Sequence, residues 1–275
     1  MTNSNFLHMC CYRRFLIVFI LVLGGLTAFE SNAQLLVGPR FGAQMGWVSL
    51  NRDVDKGFLN SPMTPGFYGG AAMMMRVRER FYLHSELLYA QNRQRITGEF
   101  DKQLESELTN HMIELPISFK VNFESQIKNL KWQMFLGAGP NIKYWISGTS
   151  NLFSSELDEK GSGPMDYKVE YAELPADDVQ PDRLYVEDAN RIQLGVNAVF
   201  GFLFEPQAGN TIIVDFRFDY GHSFQARKDY GFYPDLIDYS EPMRSRFHAF
   251  KVGVAYLIDT NVASRNKGKS TLKVK

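Results

Sequence analysis

Nine charged residues fall on strand positions of one parity: Arg40, Glu86, Glu114, Lys120, Lys143, Asp215, Arg217, Asp219 and Lys251. Residues two apart on a β-strand share a face, so Asp215, Arg217 and Asp219 form a row. Such a row suits acid–base chemistry or an ion path. The set holds five cations and four carboxylates. Buried charges must pair, so near balance points to a cross-linked, plugged interior. A narrow conducting path is the competing reading.

Two other groupings invite a hydrolase reading: His222-Ser223 and His84-Ser85-Glu86. Neighbours on a regular strand point to opposite faces, so neither His–Ser pair shares a proton there. His84 and Glu86 do share a face. No G-x-S-x-G elbow is present. His111, His222 and His248 fall near one rim, but no spaced co-ligands accompany them, so no metal or cofactor is expected. Glu156, Asp158 and Glu159, or Asp177, Asp178 and Asp182, would suit a hard cation, yet neither trio has EF-hand spacing. A solvated loop and a cation- or lipopolysaccharide-bridging site both remain open for them.

The elements that must position these residues are strands. Thr211 to Phe224 alternates with Ile212, Val214, Phe216, Phe218, Tyr220 and Phe224 on one face. The length suits a tilted transmembrane strand. Seven further segments resemble it: Leu35 to Val48, Gly66 to Val77, Phe81 to Arg93, His111 to Phe123, Lys131 to Ile146, Arg191 to Phe204, and Arg246 to Ile258. The second is least clear, because G-G-A-A-M-M-M suits either face. Ile96 to Asn110 reads as a polar loop in which L-E-S-E-L has helical potential. Within the longest gap, Tyr167, Val169 and Tyr171 alternate and suggest a strand extension.

Connections after the odd strands are long and those after the even strands short, as in outer-membrane barrels. The polar face carries Gly38, Gly42, Gly46, Gly137, Gly139, Gly195, Gly201 and Gly253, which a crowded small lumen explains. Trp47, Trp132, Tyr144, Tyr220 and Tyr256 lie near the ends of the apolar stripe, where interfacial girdles occur. The fold expected is an eight-stranded antiparallel up-and-down transmembrane β-barrel in the cell outer membrane. A secreted lipocalin-like barrel is the rival.

The chain has 275 residues, 45% of them hydrophobic, with 30 basic against 30 acidic. That balance gives no footprint for nucleic acid. Residues 1–33 read as a signal peptide: Arg13 and Arg14, an apolar run from Phe15 to Leu23, then Ser31-Asn32-Ala33. Cys10 and Cys11 fall within it, so residues 34–258, the barrel, carry no thiol chemistry. The loop 147–190 holds 11 acidic residues against Lys160, Lys168 and Arg183. Tyr230, Phe232, Tyr233 and Tyr239 form a candidate partner surface. Residues 259–275 make a basic periplasmic tail.

In the last strand, Lys251, Gly253, Tyr256 and Ile258 fit a pattern resembling the insertion signal read by the barrel-assembly machinery. V-G-P-R-F-G-A-Q at 37–44, E-L-P-I-S-F-K-V-N-F at 114–123, F-L-G-A-G-P-N-I-K at 135–143 and F-K-V-G-V-A-Y-L-I at 250–258 resemble the PorT family of Bacteroidota outer-membrane β-barrels. That resemblance implies a non-enzymatic accessory of a type IX secretion or surface assembly, with secretion-complex proteins as partners. A small-solute channel is the alternative, and an outer-membrane lipid or peptide hydrolase a third.

Overall fold

A computed structural model of the chain describes residues 35–100, 103–127, 130–172, 179–207 and 209–260. The expected signal peptide, Asp177, Asp178 and nearly all of the basic tail lie outside these residues.

Eight long strands make up the described barrel: β1 (Leu35–Leu50), β2 (Thr64–Arg78), β3 (Phe81–Gly98), β4 (Glu105–Ile127), β5 (Leu130–Phe153), β6 (Ile192–Gln207), β7 (Asn210–Gly221) and β8 (Ser245–Asp259). Each pairs antiparallel with its sequence neighbour, and β1 closes on β8 from Leu36↔Asp259 to Leu50↔Ser245. Closure satisfies every strand edge, which hydrocarbon requires.

The faces are inverted relative to a soluble protein. Phe41, Phe119, Leu87 and Ile192 are among the most exposed large side chains, at 66%, 65%, 58% and 61%. Arg40, Lys120, Asp215 and Glu114 are almost wholly buried. Water would oppose both choices, whereas lipid outside and a packed lumen inside favour both.

Ile96 to Asn110 is a correction. Residues 96–98 and 105–110 are strand rather than loop or helix: β3 and β4 continue past the membrane, paired out to Thr97↔Glu105. Arg95 bridges Glu105 and Glu107 across this pairing at 3.3 and 3.2 Å. Outside lipid the outward face turns polar and the inward face apolar, with Ile96, Leu108 and Met112 buried. The stripe changes sides, so the sequence shows no continuous apolar face. Likewise β7 ends at Gly221, and His222 to Phe224 leave the strand.

A cap is built on these extensions. Met165–Glu170 pairs with β5 (Thr149↔Lys168 to Leu152↔Met165) and runs parallel to Arg183–Tyr185. The short helices α1 (Asp53–Phe58) and α2 (Ser155–Glu159) pack among the loops. The Ser154 hydroxyl accepts from Leu157 N–H at 3.3 Å and caps α2. Leu104, Leu108, Trp145, Leu152, Leu157, Tyr167, Leu184 and Met243 make a conventional apolar core here. At the other end the turn between β6 and β7 uses Gly209 at φ +90°, a conformation that favours glycine.

Candidate functional site: the filled lumen and its rim

All nine charged residues of the inward parity lie inside the barrel. Eight of them divide into two balanced groups of four. In the first, Arg40 grips Asp215 bidentately, Nη1 to Oδ2 at 2.9 Å and Nη2 to Oδ1 at 2.6 Å. Arg217 grips Glu86 the same way at 3.0 and 2.6 Å. Arg40 Nε lies 3.1 Å from Glu86 Oε2 and joins the two pairs. In the second, Lys251 Nζ donates to Glu114 Oε2 at 2.5 Å and lies 2.8 Å from Asp219 Oδ2. Lys143 sits 3.5 Å from Glu114 and 3.7 Å from Asp219. Asn92 and Asn141 donate to these carboxylates at 3.4 and 3.1 Å.

Lys120 is the odd cation. It enters no ion pair among the described residues, and its ammonium rests 4.2 Å from the Phe135 ring centroid. His84 is equally buried. Its Nδ1 lies 3.2 Å from Glu86 Oε1, without hydrogen-bond geometry.

Tyr68 stands between the groups. Its hydroxyl accepts from Arg40 Nη2 at 3.4 Å, and Lys251 Nζ lies 5.3 Å from its ring. The ring needs bare wall behind it. A Cβ on Gly42 would meet the Tyr68 ring at 2.3 Å, and one on its register partner Gly253 would meet the Tyr68 hydroxyl at 2.3 Å. Gly42 and Gly253 therefore make room for the Tyr68 side chain. Sequence reading did not single out Tyr68, because the G-G-A-A-M-M-M strand offers no contrast between faces.

The charge layer is sealed on both sides. At the end away from the cap, Leu36, Met74, Tyr82, Phe135, Leu203, Ile213 and Leu257 form an apolar cluster. Toward the cap, Gln44 donates to Asn92 at 2.7 Å and Gln225 donates to Gln94 at 2.6 Å. Above them the cap core begins. The apolar layer away from the cap was missed from sequence, although Ile213 already interrupts the alternation of its strand.

The remaining candidates separate. Tyr230 and Phe232 are exposed, but Tyr233 and Tyr239 are buried in the cap, which corrects their place on a surface. Both hydroxyls donate to Glu241 Oε2, at 3.1 and 2.9 Å, and Ser106 Oγ donates to the same atom at 2.6 Å. Burial pushes the Glu241 carboxyl above its ordinary range, opposed by those three bonds. Glu156 is an anchor, not a free ligand: it accepts from Ile237 and Asp238 N–H and from Lys160 Nζ. The Lys160 bond holds its carboxyl low. Ser223 Oγ is engaged by Leu194 N–H at 3.0 Å. His111 bonds Tyr89 at 2.6 Å, and His248 accepts from Gly221 N–H. Among the described residues no group of three or more His, Cys, Asp or Glu is placed to hold a metal. In the last strand Lys251 and Gly253 face the lumen, while Tyr256 and Ile258 face outward.

A cleft of about 470 Å³ opens in the cap, lined by Val54, Asp55, Phe58, Phe100, Glu156 and Tyr230 among others. Asp55 accepts from the Tyr230 hydroxyl at 2.8 Å there.

No curated protein matches the chain. Among solved structures it is similar to Neisserial surface protein A, at 12% identity, covering 83% of this chain and 99% of that one, TM-score 0.35. Ail of Yersinia pestis is similar at 10% identity over 82% and 99% of the two chains, TM-score 0.34. OprG of Pseudomonas aeruginosa is similar at 8% over 83% and 96%, TM-score 0.42. The family model for an outer membrane protein beta-barrel domain matches residues 29–223. With most of its length in that match and a lipid-facing closed sheet, the chain belongs to the outer membrane protein β-barrel domain family and is a protein of the outer membrane.

Proposed function

We propose that this protein is a non-enzymatic, non-conducting scaffold whose extracellular cap is its working surface. By the PorT resemblance its setting is a type IX secretion or surface assembly, reached through the barrel-assembly machinery and completed by other secretion-complex proteins.

The observation that carries this reading is the charge layer. Four cations and four carboxylates link the walls of the barrel at mid-height. A small-solute channel would need a continuous polar path, and the apolar cluster at one end and the apolar cap core at the other weigh against one. Catalysis finds little support: Ser223 is committed to a backbone amide, and Ser118, the register partner of His84, donates its hydroxyl to Asn197 Oδ1 at 2.6 Å. The cap, by contrast, offers exposed Tyr230, Phe58 and Phe100 at its cleft, and Phe232 is exposed as well. Exposed aromatic clusters are what partner surfaces use.

The test is affinity isolation from native outer membranes after mild cross-linking. The scaffold reading expects stoichiometric companions, lost in a Tyr230→Ala, Phe232→Ala variant that still folds. Isolation of the wild type as a lone monomer would contradict it.

A further inference from the structure

A second concavity, about 370 Å³, lies at the extracellular rim where β7 ends and β8 begins. It is lined by Asn190, His222, Ser223, Phe224, Arg227, Arg244 and Arg246, with Ala226 at its edge. Three arginines and no carboxylate line it. Arg246 and Arg244 stack on the Phe224 ring, their guanidinium carbons 4.3 and 5.5 Å from its centroid. Stacking holds a guanidinium fork in place before any ligand arrives. Arg246 Nε donates to His222 O at 3.1 Å. Arg244 shares Asp229 with Arg52, at 3.2 and 3.3 Å. Arg227 is exposed and enters no ion pair among the described residues.

The height of this pocket identifies its occupant. Going up the outer face of β8, Val254, Val252 and Phe250 are the lipid stripe, each about half exposed. His248 follows, flanked by Trp47 and Tyr220 at 5.6 and 4.8 Å. These rings form an aromatic collar of the kind that marks the interface. Arg246 is the next residue of the same parity, roughly 7 Å further along the strand. Hydrocarbon, aromatic collar and arginine thus follow the depth order of acyl chain, interface and headgroup phosphate.

We propose that this pocket binds the phosphate of an outer-leaflet phosphorylated glycolipid. Arg246 and Arg227 supply the donors, Arg244 a third charge, and His222 and Ser223 lie beside them. Bidentate Arg–phosphate bonds give both strength and orientation. The site is independent of the scaffold reading, since it needs only the outer-membrane location.

The test uses protein refolded into nanodiscs of neutral lipid doped with phosphorylated lipid A or with the same lipid A dephosphorylated. Retained glycolipid is counted by native mass spectrometry. Folding is verified by heat-modifiable gel migration. The phosphorylated form is expected to be retained preferentially. Arg227→Gln with Arg246→Gln should lower retention about tenfold, given what bonds to charged groups contribute. Arg227→Gln alone, at an exposed position, should give a smaller loss and guards against misfolding of the double variant. Millimolar inorganic phosphate should leave the lipid in place. Equal retention of the dephosphorylated form, or no loss in the variants, would overturn the proposal. Displacement by inorganic phosphate would also overturn it, in favour of a soluble phosphorylated ligand.

Discussion

The barrel wall within the membrane and the cap above it use the same strands under opposite rules. In β4, even-numbered residues from Ser106 to Asn122 face inward. Within the membrane those residues include Glu114, Ser118, Lys120 and Asn122; above it Leu108 and Met112 alternate with Ser106 and Asn110. Lipid supplies no hydrophobic drive toward the lumen, so polar groups collect there and must satisfy one another. Water supplies that drive above the rim, so the cap folds around an apolar core as soluble domains do. One region is held by directional pairing, the other by packing, and substitutions should fail differently in each.

The largest effects should come from the charge layer. Lys251→Met strands Glu114 and Asp219 partly unpaired and should cost about 3–5 kcal/mol in urea unfolding from vesicles. Lys120→Met removes the lumen cation that enters no ion pair among the described residues and should be near neutral or stabilising. If both cost the same, the distinction between paired and unpaired lumen cations fails. In the cap, Trp145→Ala should cost about 3–5 kcal/mol locally. Its signature is proteolytic nicking of residues 154–191 with the transmembrane portion still resistant. Loss of the whole barrel would mean the two regions are not separable.

A smaller effect, about 1–3 kcal/mol, is expected for Gly42→Val, which drives a side chain into the Tyr68 ring. Tyr68→Ala in the same chain should recover part of that loss. The smallest effect is a pH dependence confined to the cap. Burial raises the folded-state value of Glu241 above its unfolded value. Its contribution is therefore complete below the unfolded carboxylate value and is lost as pH rises through the raised folded one. Amide exchange around Leu108 and Tyr233 should slow on acidification through that window and become flat in Glu241→Gln. A transmembrane amide that follows the same profile would blur the comparison.

Sequence reading followed the environment. Within lipid, alternation is enforced on every strand, so Asp215, Arg217 and Asp219 can be assigned to the inward face from spacing alone. Alternation has no means of saying that Arg40 meets Asp215, 175 positions away, rather than Glu114. That depends on the stagger of a closed sheet. Above the rim the inward face becomes apolar, the outward stripe ends, and Ile96 to Asn110 reads as a loop. Tyr233 and Tyr239 look like surface aromatics for the same reason: nothing in their spacing reveals the β4 and β5 extensions that cover them. The rim pocket was half legible. His222 and Ser223 stood out, but Arg227, Arg244 and Arg246 join them only once β7 ends at Gly221.

Single-channel recording of the refolded protein in planar bilayers addresses the closed lumen most directly. The account predicts no resolved unit steps from the wild type at moderate voltage. Lys251→Met, which breaks the second charge group, is expected to show brief openings when recorded alongside. Stable unit steps from the unmodified protein would contradict a lumen sealed by its charge layer.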